Sequence, residues 1–192
     1  MTKYIFHGGG VNPETGTNDS FYTELMKDLP DGGTVLLVYF ASRTDDNSER
    51  IAYDTEACKS FTTVKNVNVV IASRENFIEE AKGTDVVYLR GGSTEKLLDT
   101  LREYSNLKDA FEIKNKTVAG SSAGAYALST LYSCHYTDRA AEGLGIVPVR
   151  VVTHYESTKM PPRDGSVEIL KNTQTDLDLI ILKEGEWSVV SQ

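Results

Sequence analysis

Residues Gly120-Ser121-Ser122-Ala123-Gly124 form a G-x-S-x-G pattern between a short apolar run, Thr117 to Gly120, and a helix-like stretch, Ser122 to Thr130. At a strand-to-helix junction this pattern makes a nucleophile elbow. The turn is so tight that a Cβ at either flanking position would collide with neighbouring backbone. It lifts the Ser122 hydroxyl clear of the sheet beside a helix N-terminus, where free N–H groups and the helix dipole favour a developing oxyanion. The alternative is a Gly/Ser/Ala turn that merely packs helix against sheet. A serine hydroxyl is a poor nucleophile without a base, and the chain offers three histidines, His7, His135 and His154. His154 ends the strand-like run Val149 to Thr153 and is the expected base. His135, in Tyr132 to Thr137, reads as a surface or edge-strand residue. His7 reads as a hydrogen-bonded structural residue beside Gly8-Gly9-Gly10.

A triad also needs a group that orients the imidazole. Asp138 gives the order Ser, Asp, His, one of the known orders, and is the expected third member. Glu142 and Glu156 compete with it, and a carbonyl or amide could serve instead. For the oxyanion, the Ala123 N–H supplies one donor. Gly91 or Gly92, at the end of the strand-like run Asp85 to Leu89, supplies a second, because glycine allows close backbone approach.

These residues must be positioned by a scaffold, and the hydrophobic pattern indicates which. Lys3 to His7, Thr34 to Phe40, Val67 to Ile71, Asp85 to Leu89, Thr117 to Gly120 and Val149 to Thr153 read as strands. Between them Phe21, Leu25, Met26 and Leu29 recur at helical spacing, Ser48 to Phe61 and Ile78 to Lys82 read as helices, and Ser93 caps a helix bearing Leu97, Leu98 and Leu101. Asn106 to Ile113 and Val167 to Thr173 are further helices. Asn12 to Asn18 is a polar loop, and Leu179 to Leu182 with Trp187 to Val190 reads as a terminal hairpin. The β-α alternation predicts an α/β fold, a mostly parallel central sheet flanked by helices. Active sites of such sheets gather at the carboxyl ends of the strands, where three glycine-bearing turns fall: Gly8-Gly9-Gly10, Gly91-Gly92 and Gly120-Ser121-Ser122.

With 192 residues and no linker, repeat or low-complexity tract, a single domain spanning 1–192 is expected. The net charge of −8 disfavours nucleic acid and anionic membranes as partners, while leaving room for a locally basic pocket. Cys58 and Cys134 form no C-x-x-C pair, so they read as buried reduced thiols, and no metal site is expected. No apolar run approaches the length of a membrane span, and the N-terminus is too short and polar for a signal peptide, so a cytoplasmic location is expected. Gly8-Gly9-Gly10-Val11-Asn12-Pro13 fails as a dinucleotide fingerprint, because proline stands where the third glycine belongs.

Taken in order, these motifs resemble peptidase family S51, the serine peptidases that include aspartyl dipeptidase and cyanophycinase. Gly120-Ser121-Ser122-Ala123-Gly124-Ala125 is similar to the family's G-x-S-A-G-A elbow, and Gly91-Gly92-Ser93-Thr94 before Leu97-Leu98 resembles its Gly-Gly-Asn-Thr turn. His154-Tyr155 and Glu184-Gly185 match a His-aromatic pair and a late Glu-Gly turn, and Gly8-Gly9-Gly10 fits as well. The resemblance implies a class I glutamine amidotransferase-like (flavodoxin-like) three-layer sandwich, with Ser122 as nucleophile, His154 as base, and Tyr136-Thr137-Asp138 carrying the acidic member. It implies small peptide substrates with an N-terminal aspartyl or β-aspartyl residue, no cofactor, and a monomer or homodimer. Ser93, Arg90, Arg163 and Glu184 are the candidates for substrate contact. Ser93 stands where the family has Asn, the chain is shorter than its typical members, and the loop after His154 differs. An esterase or amidase on the same site, and an inactive peptide-binding relative, are the alternatives.

Overall fold

The computed structural model describes residues 1–11 and 18–192; the expected loop from Asn12 falls outside the described residues except for Asn18. Six strands make the main sheet: β1 (Lys3–His7), β2 (Thr34–Val38), β3 (Asn68–Ile71), β4 (Val86–Leu89), β5 (Thr117–Ser121) and β10 (Trp187–Ser191), in the order β10-β1-β5-β4-β2-β3. Every pairing is parallel except β1 with β10. β4 and β5 are buried along their whole length, as parallel strands covered on both faces must be. The edge strands β3 and β10 are the exposed ones.

Strand alternation divides the core. Tyr4, Phe6, Leu36, Val38, Val87, Leu89 and Val118 face one side, where α3 (Phe77–Gly83), α4 (Thr94–Arg102), α5 (Leu107–Phe111) and α6 (Ala123–Leu128) pack. Ile5, Val35, Leu37, Val86, Tyr88 and Ala119 face the other, under α1 (Asp19–Met26) and α2 (Ser48–Ser60). The period of two along each strand thus builds helix, sheet and helix layers.

A second sheet was not foreseen. It joins β6 (Leu131–Ser133), β7 (Ala140–Glu142), β8 (Val149–Val152) and β9 (Asp178–Ile181) in the order β7-β6-β8-β9, and α7 (Asp164–Asn172) packs Val167 and Leu170 against it. β6 and β7 have three residues each, too short to show a periodicity. The expected terminal hairpin is corrected: β9 pairs in parallel with β8, whereas β10 pairs with β1 in the other sheet. The turn between them therefore crosses from one sheet to the other, and that crossing shapes the site.

Candidate active site

β5 ends in register with β1, Ser121 opposite His7, and the Ser122 N–H continues the ladder by donating to the His7 carbonyl at 2.9 Å. Ser122 itself adopts φ 51° and ψ −108°. Positive φ is costly for a residue with a Cβ and persists only where the surroundings impose it. They do so here. A Cβ on Gly120 would stand 2.3 Å from the Gly124 carbonyl carbon, and one on Gly124 would stand 2.1 Å from the Leu89 carbonyl oxygen. No larger residue fits on either side of the bend.

The Ser122 Oγ lies 2.9 Å from His154 Nε2, and His154 Nδ1 lies 2.8 Å from Glu184 Oε1. The structure therefore brings Ser122 and His154 together but gives the carboxylate position to Glu184, expected above only as a substrate contact. Asp138 is corrected: it is exposed, makes no hydrogen bond to His154, and packs beside Gly165 at the start of α7. Glu142 lies on β7 and lines the cavity beside α4, and Glu156 pairs with Lys183.

Parallel pairing explains why Glu184 arrives at the imidazole. Val152 of β8 stands opposite Ile181 of β9, so the residues two and three positions further on, His154 and Glu184, emerge at the same sheet end. Both are then tied to the first glycine turn. His154 donates its N–H to the Gly8 carbonyl at 2.9 Å, and Gly185 donates to the Gly9 carbonyl at 3.0 Å. Gly9 has φ 99°, and a Cβ there would fall 2.3 Å from His154 Nε2, so the imidazole occupies space that glycine leaves. Ser157 Oγ also donates to Glu184 Oε1, at 2.7 Å. Partial burial alone would raise the Glu184 carboxyl, but the hydrogen bonds from His154 and Ser157 outweigh it and hold the group below the usual carboxylate range.

Gly91 is corrected as an oxyanion donor: its N–H donates to Ser121 Oγ at 3.0 Å. Gly92 lines the space beside Ser122, and Ala123 begins α6, where a helix leaves its first N–H groups without an intrahelical acceptor. Ser93 caps α4, its Oγ accepting from the Lys96 N–H at 3.3 Å. Arg163 precedes α7 and lines neither cavity beside Ser122.

Arg90 is held inside the molecule. Its Nε donates to Asp54 Oδ2 at 2.8 Å, and the same carboxylate accepts from Tyr22 at 2.6 Å and from Tyr39 at 2.7 Å. Asp54 is fully buried, so this set of donors is what makes its charge tolerable. Arg50 donates to the Gly91 carbonyl at 2.7 Å. The Gly91-Gly92 turn is thereby fixed from α2, a support sequence reasoning missed. The available signal was Asp54, a carboxylate at the helical spacing of Ile51, Ala57 and Cys58 and so on the buried face of α2. His7 is structural: its Nδ1 accepts from the Gly9 N–H at 3.1 Å, and burial, reinforced by the Arg90 guanidinium, pushes it down to about 3. His135 Nε2 lies 3.0 Å from the Tyr126 hydroxyl. Cys58 is buried, but Cys134 is only half-buried, contrary to expectation, because it lines a cavity.

Two cavities meet at Ser122. One, of about 910 Å³, lies under α4 and includes Tyr126, Tyr132, His135 and Tyr136. The other, of about 670 Å³, includes His154, Glu184, Arg43, Arg50, Arg90 and Lys159.

A serine hydroxyl, an imidazole and a carboxylate in hydrogen-bonded series beside a strained elbow constitute the arrangement of a serine hydrolase. Peptidase family S51 matches residues 5–192, and the chain belongs to that family of serine peptidases. It is similar in structure to a peptidase from an acI-B1 Actinobacterium, with a TM-score of 0.66 and 24% identity, covering 100% of this chain and 88% of that one. It is likewise similar to a candidate peptidase E from Listeria monocytogenes EGD-e, with a TM-score of 0.67 and 17% identity, covering 100% of this chain and 98% of that one. At these identities the likeness shows the shared fold. None of the curated proteins matches the chain. Among the described residues, no helix is long and apolar enough to cross a membrane.

Proposed function

We propose that this chain hydrolyses short peptides through an acyl-enzyme on Ser122, with His154 as base and then acid, and Glu184 orienting the imidazole. The observation that carries this reading is the unbroken series of contacts from Ser122 Oγ to His154 at 2.9 Å and on to Glu184 at 2.8 Å. The carboxylate can only accept, so it fixes the proton of the neutral ring on Nδ1 and leaves Nε2 free to accept from the serine. Ser122 Oγ attacks the scissile carbonyl as His154 takes its proton. The N–H groups of Gly92 and Ala123 stabilise the oxyanion, His154 protonates the departing amine, and water releases the acid.

Acidic peptides, with an N-terminal aspartyl or β-aspartyl residue, are the proposed substrate class. The resemblance to the family favours it, and so does the local charge. A chain of net charge −8 places Arg43, Arg50, Arg90 and Lys159 around one side of its nucleophile. Hydrolysis of a dipeptide library by wild type and by Ser122→Ala tests the reading. Cleavage of Asp-containing members, lost in the variant, is expected. Activity retained in Ser122→Ala overturns the mechanism, and cleavage confined to neutral dipeptides overturns the substrate class.

A further inference from the structure

The main sheet ends on β3, far in the strand order from β1 and β5, which carry the nucleophile turn. β3 pairs only with β2, in parallel, and nothing among the described residues pairs with its other side. The Asn68 N–H donates to the Gly33 carbonyl at 2.9 Å, the Ala72 N–H donates to the Leu37 carbonyl at 3.0 Å, and the Asn66 carbonyl accepts from the Gly32 N–H at 2.9 Å. These even-numbered residues turn their backbone groups inward, towards β2. Successive residues of a strand turn them to opposite sides, so Val67, Val69 and Ile71 present theirs outward. Just beyond, the edge closes, because Glu80 Oε2 accepts from the Ser73 N–H at 2.9 Å.

Proline or charge in the strand commonly blunts an edge against pairing. β3 carries neither: it reads Asn68-Val69-Val70-Ile71, with Val70 and Ile71 each 39% exposed. The edge is also complementary to itself. When two copies of β3 run antiparallel about Val70, Val69 of one stands opposite Ile71 of the other. Both residues then turn their backbone groups to the second chain, and each such pair exchanges two hydrogen bonds. Val70 meets its own copy at the close, non-hydrogen-bonded position between those pairs.

The flanking charges agree with this register. Lys65 stands five positions before Val70 and Glu75 five positions after, so each lysine comes towards the glutamate of the second copy. Asn66, whose N–H donates to the Asp31 carboxylate at 3.0 Å, stands four positions before Val70, and Arg74 stands four after. Arg74 of one copy therefore comes towards Asp31 of the other. Lys65, Glu75, Asp31 and Arg74 are all exposed, and none has an ion-pair partner among the described residues. A shift of two residues either way keeps the hydrogen bonds but sets Lys65 against Ser73 or Phe77.

We propose that β3 is a self-association edge, on which two copies of this chain pair antiparallel about Val70 and join their main sheets into one. Lys65 with Glu75, and Arg74 with Asp31, select the register. The two Ser122 sites then face opposite ends of the joined sheet. A junction of one strand from each copy is a small interface, so the dimer forms as concentration rises. This inference goes beyond the hydrolase reading and does not depend on it.

Sedimentation over the micromolar range, with amide hydrogen exchange, tests it. Wild type should pass from one chain mass to two as concentration rises, and the Val67, Val69 and Ile71 amides should exchange at least about tenfold more slowly in the dimer than in dilute protein. Lys65→Glu and Glu75→Lys each set like charges together on both sides of the dyad, and each should weaken association at least about tenfold. The double variant, which keeps the wild-type net charge, should restore it. A wild type that stays at one chain mass throughout overturns the proposal. So does a dimer in which those three amides exchange as fast as in dilute protein. Single variants that associate as well as wild type, or a double variant that associates no better than they do, overturn it too.

Discussion

At the scale of single residues, the site depends on one tautomer. Glu184 accepts from His154 Nδ1–H, and an amide in its place could present N–H to the ring and favour the wrong proton position. Glu184→Gln is therefore expected to lower kcat by about 10²–10⁴-fold, measured on a cleavable dipeptide. Asp138→Asn, at an exposed position away from the imidazole, should leave kcat within about twofold. The reverse ranking would restore Asp138 as the orienting carboxylate. His7 yields a prediction on stability. Its folded-state value of about 3 lies below the ordinary 6.5, so the unfolded chain takes up this proton first as the pH falls. The stabilisation from a neutral His7 is complete above about pH 6.5 and declines towards pH 3. Urea unfolding should show stability falling by up to about 1.4 kcal/mol per pH unit from this group, and His7→Asn should make the slope shallower.

At the scale of elements, the catalytic groups come from strand ends that converge, and helix α6 links two of them. Tyr126 on α6 accepts from the Thr153 N–H at 3.3 Å, so the helix that follows Ser122 also holds the backbone that precedes His154. Tyr126→Phe should cost about 1 kcal/mol in stability and lower kcat more than it raises KM, read by denaturation and steady-state kinetics. The serine and the histidine were legible because each sits at the end of a local apolar run, and such runs are visible in a single stretch of chain. Glu184 was not legible as the third member because only strand pairing, which no local run of sequence displays, brings it to His154. Its proximity depends on β8 and β9 being parallel neighbours. Reading β9 and β10 as a hairpin left Glu184 as a turn residue for substrate contact, whereas its turn spans the two sheets beside Gly8 and Gly9. The strands of β6 and β7 escaped for a different reason, since three residues cannot display alternation.

At the scale of the whole molecule, two sheets meet at the site, and a buried ionic network braces the larger one against α2. Asp54, fully buried, receives Arg90, Tyr22 and Tyr39. Removing one partner of such a set strands the others, so Asp54→Ala should destabilise the protein by about 3–5 kcal/mol in chemical denaturation. Net charge and local charge have opposite signs here: −8 over the chain, yet four cationic side chains around one cavity. None of the four was weighed as a group from the sequence, because Arg43, Arg50, Arg90 and Lys159 are scattered over more than half its length and converge only through the fold. The claim on which the rest depends is that Ser122 is the nucleophile and that His154 and Glu184 activate it. Its most direct measurement is reaction with a fluorophosphonate, followed by intact mass and peptide mapping, in wild type, His154→Ala and Glu184→Gln. The account predicts a single adduct on Ser122 in wild type, formed at least about a hundredfold more slowly in both variants. An adduct on another residue, or labelling of Ser122 at the same rate in all three proteins, would contradict it.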